Sequence, residues 1–300
     1  MRIWQLTFLI GALSLGPLVH AQMMPDAPVK NFRFPRFSEE GFTEWVLQGG
    51  EGIYDSEEQI RVNQMNLRVY SGDERLVQEL GLKSPQATIR LQENRAFSES
   101  RILIEGTNFT ISGTGWEWDG ATKVVEVKDD AIVTFAQSMT NTLTGVSLEA
   151  TSAGKTEIRS KQLLLKTTET EYEFIFIEDV KVLSGDMTLQ SGRLVAVAET
   201  PEGRDTKDVA AVGSQIDALR SLKASEQVVI RQSDKVARAE KAVFDPATGQ
   251  VDLIGLPQIE ASGAFISGHH VRSQRGQLLI KGSEGAGRAQ VILTRAGGFG

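Results

Sequence analysis

Trp116-Glu117-Trp118-Asp119-Gly120-Ala121-Thr122-Lys123-Val124-Val125-Glu126-Val127 is the stretch on which the fold turns. Large apolar residues alternate with Glu on both sides of Asp119-Gly120. That is the pattern of two half-buried strands joined by a tight turn, with Gly120 supplying a positive φ. The same order of aromatic, Asp, turn and aliphatic-x-aliphatic recurs twice. One copy is Gly52-Ile53-Tyr54-Asp55 before Ile60-Arg61-Val62. The other is Ala242-Val243-Phe244-Asp245 before Val251-Asp252-Leu253, where Pro246 opens the turn and Gly249 closes it. Tyr172 to Val182 reads as a degenerate copy. Acidic pairs, Asp129-Asp130 and Glu178-Asp179, stand before apolar strands and read as solvated hairpin ends.

Outward from these hairpins the chain is β almost throughout. Ile102-Leu103-Ile104, Leu163-Leu164-Leu165, Val195-Ala196-Val197, Val228-Val229-Ile230, Leu278-Leu279-Ile280 and Val291-Ile292-Leu293 follow at short intervals, separated by Gly, Asn, Asp or Ser. Short strands at such spacing indicate an all-β sandwich or barrel-like sheet. Helical periodicity is confined to Glu74 to Leu80 and Val209 to Leu222. Residues 22–40 read as an irregular leader, 199–212 as a long polar loop, and 282–300 as a flexible Gly-rich tail.

The N-terminus is an address. Arg2 precedes an apolar run from Ile3 to Val19 that is broken by Gly11, Gly16 and Pro17, and Val19-His20-Ala21 offers a cleavage site. Residues 1–21 are therefore a secretory signal peptide cut after Ala21, with an uncleaved anchor as the alternative. The 300 residues contain no cysteine. That excludes disulfides, thiolate metal sites and cysteine nucleophiles, and suits a bacterial periplasm. The net charge of −7 argues against a nucleic-acid partner.

Catalytic chemistry finds little support. Beyond residue 21 the histidines are the neighbours His269 and His270, which point to opposite faces of a strand. There is no Gly-x-Ser-x-Gly elbow, EF-hand loop, P-loop or dinucleotide fingerprint. The expectation is a protein that is not an enzyme and holds no metal or cofactor. Trp116 and Trp118, two apart, face one side of a strand and suit either a core or a sugar platform.

Val228-Val229-Ile230-Arg231-Gln232, then Ala237-Arg238-Ala239-Glu240-Lys241-Ala242-Val243-Phe244-Asp245, then Leu253-Ile254-Gly255-Leu256-Pro257-Gln258-Ile259 and Ile266-Ser267-Gly268 resemble the OstA N-terminal family. That family includes the periplasmic lipopolysaccharide-transport proteins LptA and LptC. Gly41-Phe42-Thr43-Glu44-Trp45, Ile53-Tyr54, Ser98-Glu99-Ser100-Arg101-Ile102 and Gly113-x-Gly115-Trp116 look LptC-like. The resemblance implies an LptC-like segment over 41–150 and an LptA/OstA-like segment over 151–281. It also implies a half-open antiparallel β-jelly-roll (a β-taco) of repeated hairpins, as one roll or two in succession. The implied function is that of a binding or bridge protein for lipopolysaccharide or a related glycolipid. Its free edge strands would add other transport proteins, or further copies head to tail.

Alternation places Phe109, Ile111, Val125, Val127, Val133 and Phe135 on the inner faces of the first half. In the second half it places Phe174, Phe176, Val180, Val182, Val251 and Leu253 there. These twelve are the candidates for a lipid groove. Two other functions remain open: a structural or adhesive β-protein, which requires a fully packed interior, and a carbohydrate-binding module, which requires Trp116 and Trp118 exposed beside acids in a cleft.

Overall fold

The computed structural model describes residues 28–136, 155–200, 219–245, 248–261, 264–274, 277–281 and 290–293. Among these there is no helix, and nineteen strands form one sheet with every pairing antiparallel. They are β1 (Val29–Phe37), β2 (Thr43–Tyr54), β3 (Gln59–Tyr70), β4 (Gln78–Arg90), β5 (Arg95–Glu105), β6 (Phe109–Asp119), β7 (Val124–Phe135), β8 (Thr156–Ser160), β9 (Gln162–Thr167), β10 (Glu171–Ser184), β11 (Met187–Glu199), β12 (Leu219–Gln232), β13 (Lys235–Asp245), β14 (Gln250–Ile254), β15 (Gln258–Ala261), β16 (Ala264–Ser267), β17 (His270–Gln274), β18 (Gln277–Lys281) and β19 (Gln290–Leu293).

Each long strand is bent at its middle. The register slips between Lys83 and Thr88, Ser98 and Arg101, Ile177 and Val180, and Ser225 and Val228. At or beside this line Asn31, Gln64, Asp130, Glu178, Asp179, Glu226 and Gln227 take φ between 50° and 68°. Left-handed residues inserted into a ladder bend and twist it. Where the bend is sharpest the strand is interrupted: β8 and β9 lie end to end between β7 and β10. β14 with β15, β16 with β17, and β18 with β19 do the same. The nineteen strands thus form fifteen V-shaped rungs, each hydrogen-bonded only to its sequence neighbours. One arm of every V builds a first face, the other a second face, and the hairpin turns make two lips opposite the corner.

This corrects several expectations. Asp129-Asp130 and Glu178-Asp179 lie at mid-strand corners and not at hairpin ends. Two inserted residues preserve inward parity, so Val127 is followed by Ala131 and Phe176 by Val180 as buried positions. An acidic pair before an apolar alternation looks the same whether the chain bends or turns back. Tyr172 to Val182 is accordingly one bent strand and not a hairpin. Gly120 does not take the positive φ of its turn; Lys123 does, at 53°. A Cβ on Gly120 would lie 2.5 Å from Asn94 Nδ2, so close approach is what demands glycine there.

The expected leader over 22–40 contains β1, an edge strand paired with β2 from Val29 to Phe37. Its Phe32 ring lies over Gly49 and Gly52, where a Cβ would meet it at 2.6 and 2.7 Å. No helix forms at Glu74 to Leu80, where a turn tied by Asp73 and Ser71 leads into β4. Of Val209 to Leu222, only Leu219–Leu222 is described, and it opens β12. Most of the polar loop near 199–212 lies outside the described residues. The C-terminal tail expected to be flexible contributes β19, paired with β16.

A serine recurs at the corners. Ser84, Ser160 and Ser191 are all buried, and each Oγ donates to the carbonyl two residues on, at 2.8, 2.7 and 3.1 Å. Each of these bonds sits at a break in the ladder, where the hydroxyl supplies the carbonyl with a donor. Ser84 Oγ also lies 2.8 Å from Arg101 O and accepts from Trp116 Nε1 at 3.3 Å. Ser84→Ala should therefore destabilise the fold by about 1–3 kcal/mol, read as a lower denaturant midpoint at unchanged slope.

Candidate lipid groove between the two faces

The space between the faces is the only continuous apolar volume that the strand pattern builds among the described residues. All twelve groove candidates project into it and are at most 4% exposed. Phe109, Ile111, Val133, Phe135, Val180 and Val182 stand on the first face. Val125, Val127, Phe174, Phe176, Val251 and Leu253 stand on the second. Phe174 and Phe176 face inward, while Ile175, on the other side of the strand, is also buried.

Across the middle of the roll the volume is filled by aromatics. The Phe109 ring lies 5.1 Å from Tyr172 and 4.9 Å from Phe174, and Phe135 lies 5.1 Å from Phe174, all edge to face. The N-terminal half is also tied shut at its lips. Trp45 Nε1 donates to Asn94 Oδ1 at 2.8 Å, and Arg36 Nη1 to Leu91 O at 3.2 Å. Lys123 Nζ meets Glu79 Oε1 at 3.2 Å, and Tyr172 OH donates to Glu79 O at 3.1 Å. Each of these contacts joins one face to the other.

The C-terminal half is lined differently. Its inner residues include Ala196, Ala198, Ala224, Ala237 and Ala242, where the first half carries tryptophan and phenylalanine. Met187, Leu189 and Ile230 on the first face oppose Leu194, Leu222, Phe244 and Val251 on the second, around an apolar crevice. About 20 Å³ remains free there, roughly the room of one water molecule. An acyl chain enters this space only if the faces part. Parting is easiest where short side chains leave few contacts to break.

The remaining candidates resolve plainly. Trp116 is fully buried and Trp118 is 4% exposed, so neither forms the exposed platform that a carbohydrate-binding module would need. His269 is exposed between β16 and β17. His270 Nε2 lies 2.7 Å from Asp252 Oδ1, which also accepts from Arg272 Nε at 2.7 Å. Burial opposes the charge on Asp252, but the hydrogen bonds from Arg272, His270 and Gln250 outweigh it and hold the carboxyl below its ordinary value. Among the described residues no group of His, Asp and Glu could hold a metal ion. Sequence reasoning missed Glu79, Asn94 and Lys123. They stand on different hairpins, and only the bend brings the two lips together.

The family model described as "Lipopolysaccharide-assembly, LptC-related" matches residues 31–134, a span that includes most of β1. The model described as "LptA/(LptD N-terminal domain) LPS transport protein" matches residues 157–277. No curated protein matches the chain. Among solved structures, the chain is similar to LptH, the LptA-homologous periplasmic component of the lipopolysaccharide transport device of Pseudomonas aeruginosa. The identity is 12%, covering 41% of this chain and 85% of that one, with a TM-score of 0.31. The two family matches fall on either side of the β7–β8 connection, yet β7 pairs with both β8 and β9, so both matched spans share one sheet. An LptC-related span is thus followed by an LptA/LptD N-terminal span, and over both matched spans the chain is OstA-like, of the lipopolysaccharide-transport kind.

Proposed function

We propose that the chain is a periplasmic, non-enzymatic bridge in lipopolysaccharide transport, exported with loss of residues 1–21. The acyl chains of lipopolysaccharide or a related glycolipid would lie between the two faces. The observation that carries this reading is the uninterrupted apolar interior, which runs within one sheet through both transport-family spans. Each methylene moved from water into that interior is worth about 0.8 kcal/mol. A few chains therefore suffice to part faces held by van der Waals contact. The Ala-rich C-terminal half, around Met187, Leu222 and Val251, is the place of first entry, and the twelve candidate residues are the lining reached as the faces open. β1 at one end and β18 with β19 at the other are edge strands, to which further transport proteins or further copies of this chain would add.

A photo-crosslinker placed singly at Leu222, Val251, Phe135 and Val182 tests this in cells that make lipopolysaccharide. Strong labelling at Leu222 and Val251 is expected, with weaker labelling at Phe135 and Val182. Absence of label at all four, and at the other candidate positions, would leave only a packed scaffold.

A further inference from the structure

Glu79 stands near the start of β4, on the first face, and is 4% exposed. Alternation would turn it outward, because Leu80 and Leu82 face the interior. The register with β3 slips at this point. Val69 pairs with Leu80 but Tyr70 with Gln78, so Glu79 is the extra residue of a β-bulge. A bulge re-aims a side chain. Here it brings the carboxylate to Lys123 Nζ, 3.2 and 3.5 Å from the two oxygens. The Glu79 carbonyl accepts from Tyr172 OH at 3.1 Å. Both partners belong to the second face, Lys123 just before β7 and Tyr172 in β10. Glu79 and Lys123 lie in the LptC-related span and Tyr172 in the LptA/LptD span. One bulge residue thus ties the two lips and the two spans together.

Three further observations mark this tie as more than a surface ion pair. Lys123 is held at φ 53°, with its carbonyl accepting from Thr167 N at 3.0 Å, a backbone conformation that persists only where its surroundings fix it. A cavity of about 130 Å³ adjoins Glu79 and Lys123, so beside the tie the lips are held more by polar bonds than by packing. The Tyr172 ring continues inward, edge to face on Phe109 at 5.1 Å, and so couples the lip to the aromatic cluster that fills the middle of the roll. A carboxylate also suits both states of the lips. Shut, it is paired with Lys123; parted, it is hydrated. An apolar contact in its place would favour only the shut state.

We propose that Glu79 is a latch on the lipid path. While it holds Lys123 and Tyr172, the faces stay shut at the aromatic cluster, and acyl chains seated in the C-terminal half pass the middle of the roll only when it lets go. This rests on the transport reading and adds to it the residue that governs passage.

Glu79→Gln combined with Tyr172→Phe removes the charge and the hydroxyl while keeping both shapes. The loss of a charged and a neutral bond should raise the population with parted lips about tenfold or more. The chain has no cysteine. Gln78→Cys and Thr122→Cys, exposed on opposite lips beside the latch, therefore take spin labels alone. The distance between the labels should lengthen and broaden in the double variant. In cells, lipid labelling from a photo-crosslinker at Phe135 should rise severalfold towards that at Val251, with Val251 itself unchanged. Should the double variant fail to fold, Lys123→Gln, altered on a side chain 40% exposed, makes the same test. Ser84→Ala, which loosens a corner and not a lip, should leave Phe135 labelling as in the parent. An unchanged label distance overturns the proposal, as does Phe135 labelling that rises equally in Ser84→Ala. Parted lips with Val251 labelled and Phe135 labelling unchanged also overturn it, and leave the transport reading standing. Absence of label at Leu222 and Val251 in every chain is instead the failure of the transport reading, and the latch on that path falls with it.

Discussion

Phe174→Ala should lower the stability of the roll by about 3–5 kcal/mol, among the largest losses that truncating a single buried side chain can cause. The ring is fully buried and meets Phe109, Phe135, Tyr172 and Phe176, with centroid separations of 4.9 to 6.4 Å. Its neighbours come from β6, β7 and β10, on both faces and on both sides of the β7–β8 connection, so no single element can move to fill the void. Part of the cost is lost transfer energy and part is the cavity that remains. The edge-to-face pairs add about 0.5–1.5 kcal/mol each beyond their area. Urea unfolding should show the midpoint falling with little change in slope. A loss below about 1 kcal/mol would mean that the two faces collapse freely onto each other and that the aromatic cluster does not brace them.

Val182→Asp should be as damaging, by a different route. Val182 is fully buried on the first face, paired across the ladder with Ile158 and Leu189. A carboxylate there has no cation within the apolar surroundings, and an unpaired buried charge costs several kcal/mol. Burial raises the carboxyl above its ordinary value near 3.9. The folded state then binds the proton more tightly than the unfolded state. The variant should be least destabilised below about pH 4 and progressively worse as pH rises through the raised value. Thermal melts from pH 4 to pH 8 check this, with the parent chain measured beside the variant. A variant that folds equally well across that range would show that water already reaches Val182 and that the groove stands open there.

The inward side of each strand was legible because alternation with period two survives the bend. Val125, Val127, Val133 and Phe135 belong to one strand that crosses a corner, and two inserted residues keep them all facing in. The three aromatic-Asp hairpins were legible for a similar reason, since Asp55, Asp119 and Asp245 all stand at the lip of the second face. Asp119 shows the local cause. Its Oδ1 accepts from the backbone of Ala121 and Thr122, and these bonds, from Thr122 first, hold its carboxyl below the ordinary value. The corners were not legible, because bending is decided by which residues can take a positive φ under the load of neighbouring rungs. Asp, Glu and Gln do so here without announcing it. β1 did carry a signal that was passed over. Phe32 and Phe34 alternate, and Pro35 marks an edge, where a missing N–H does no harm. The contacts that tie the lips join residues up to 93 positions apart, from Glu79 to Tyr172, and no local pattern could have assembled them.

Because every rung bonds only to the rungs beside it in sequence, the molecule behaves as a ruler graduated in hairpins. Strands lie about 4.8 Å apart, so fifteen rungs give a body of roughly 65–70 Å along its axis. A hairpin gained or lost changes that length by about 10 Å without disturbing any distant contact. Growth by whole hairpins also explains how two kinds of transport domain can be spliced end to end. The splice at β7 and β8 needs no interface of its own, because an antiparallel ladder is already its own continuation. Folding can follow synthesis in the same way, each hairpin closing on the last one made, with loop closures kept short and only the trailing edge left unpaired.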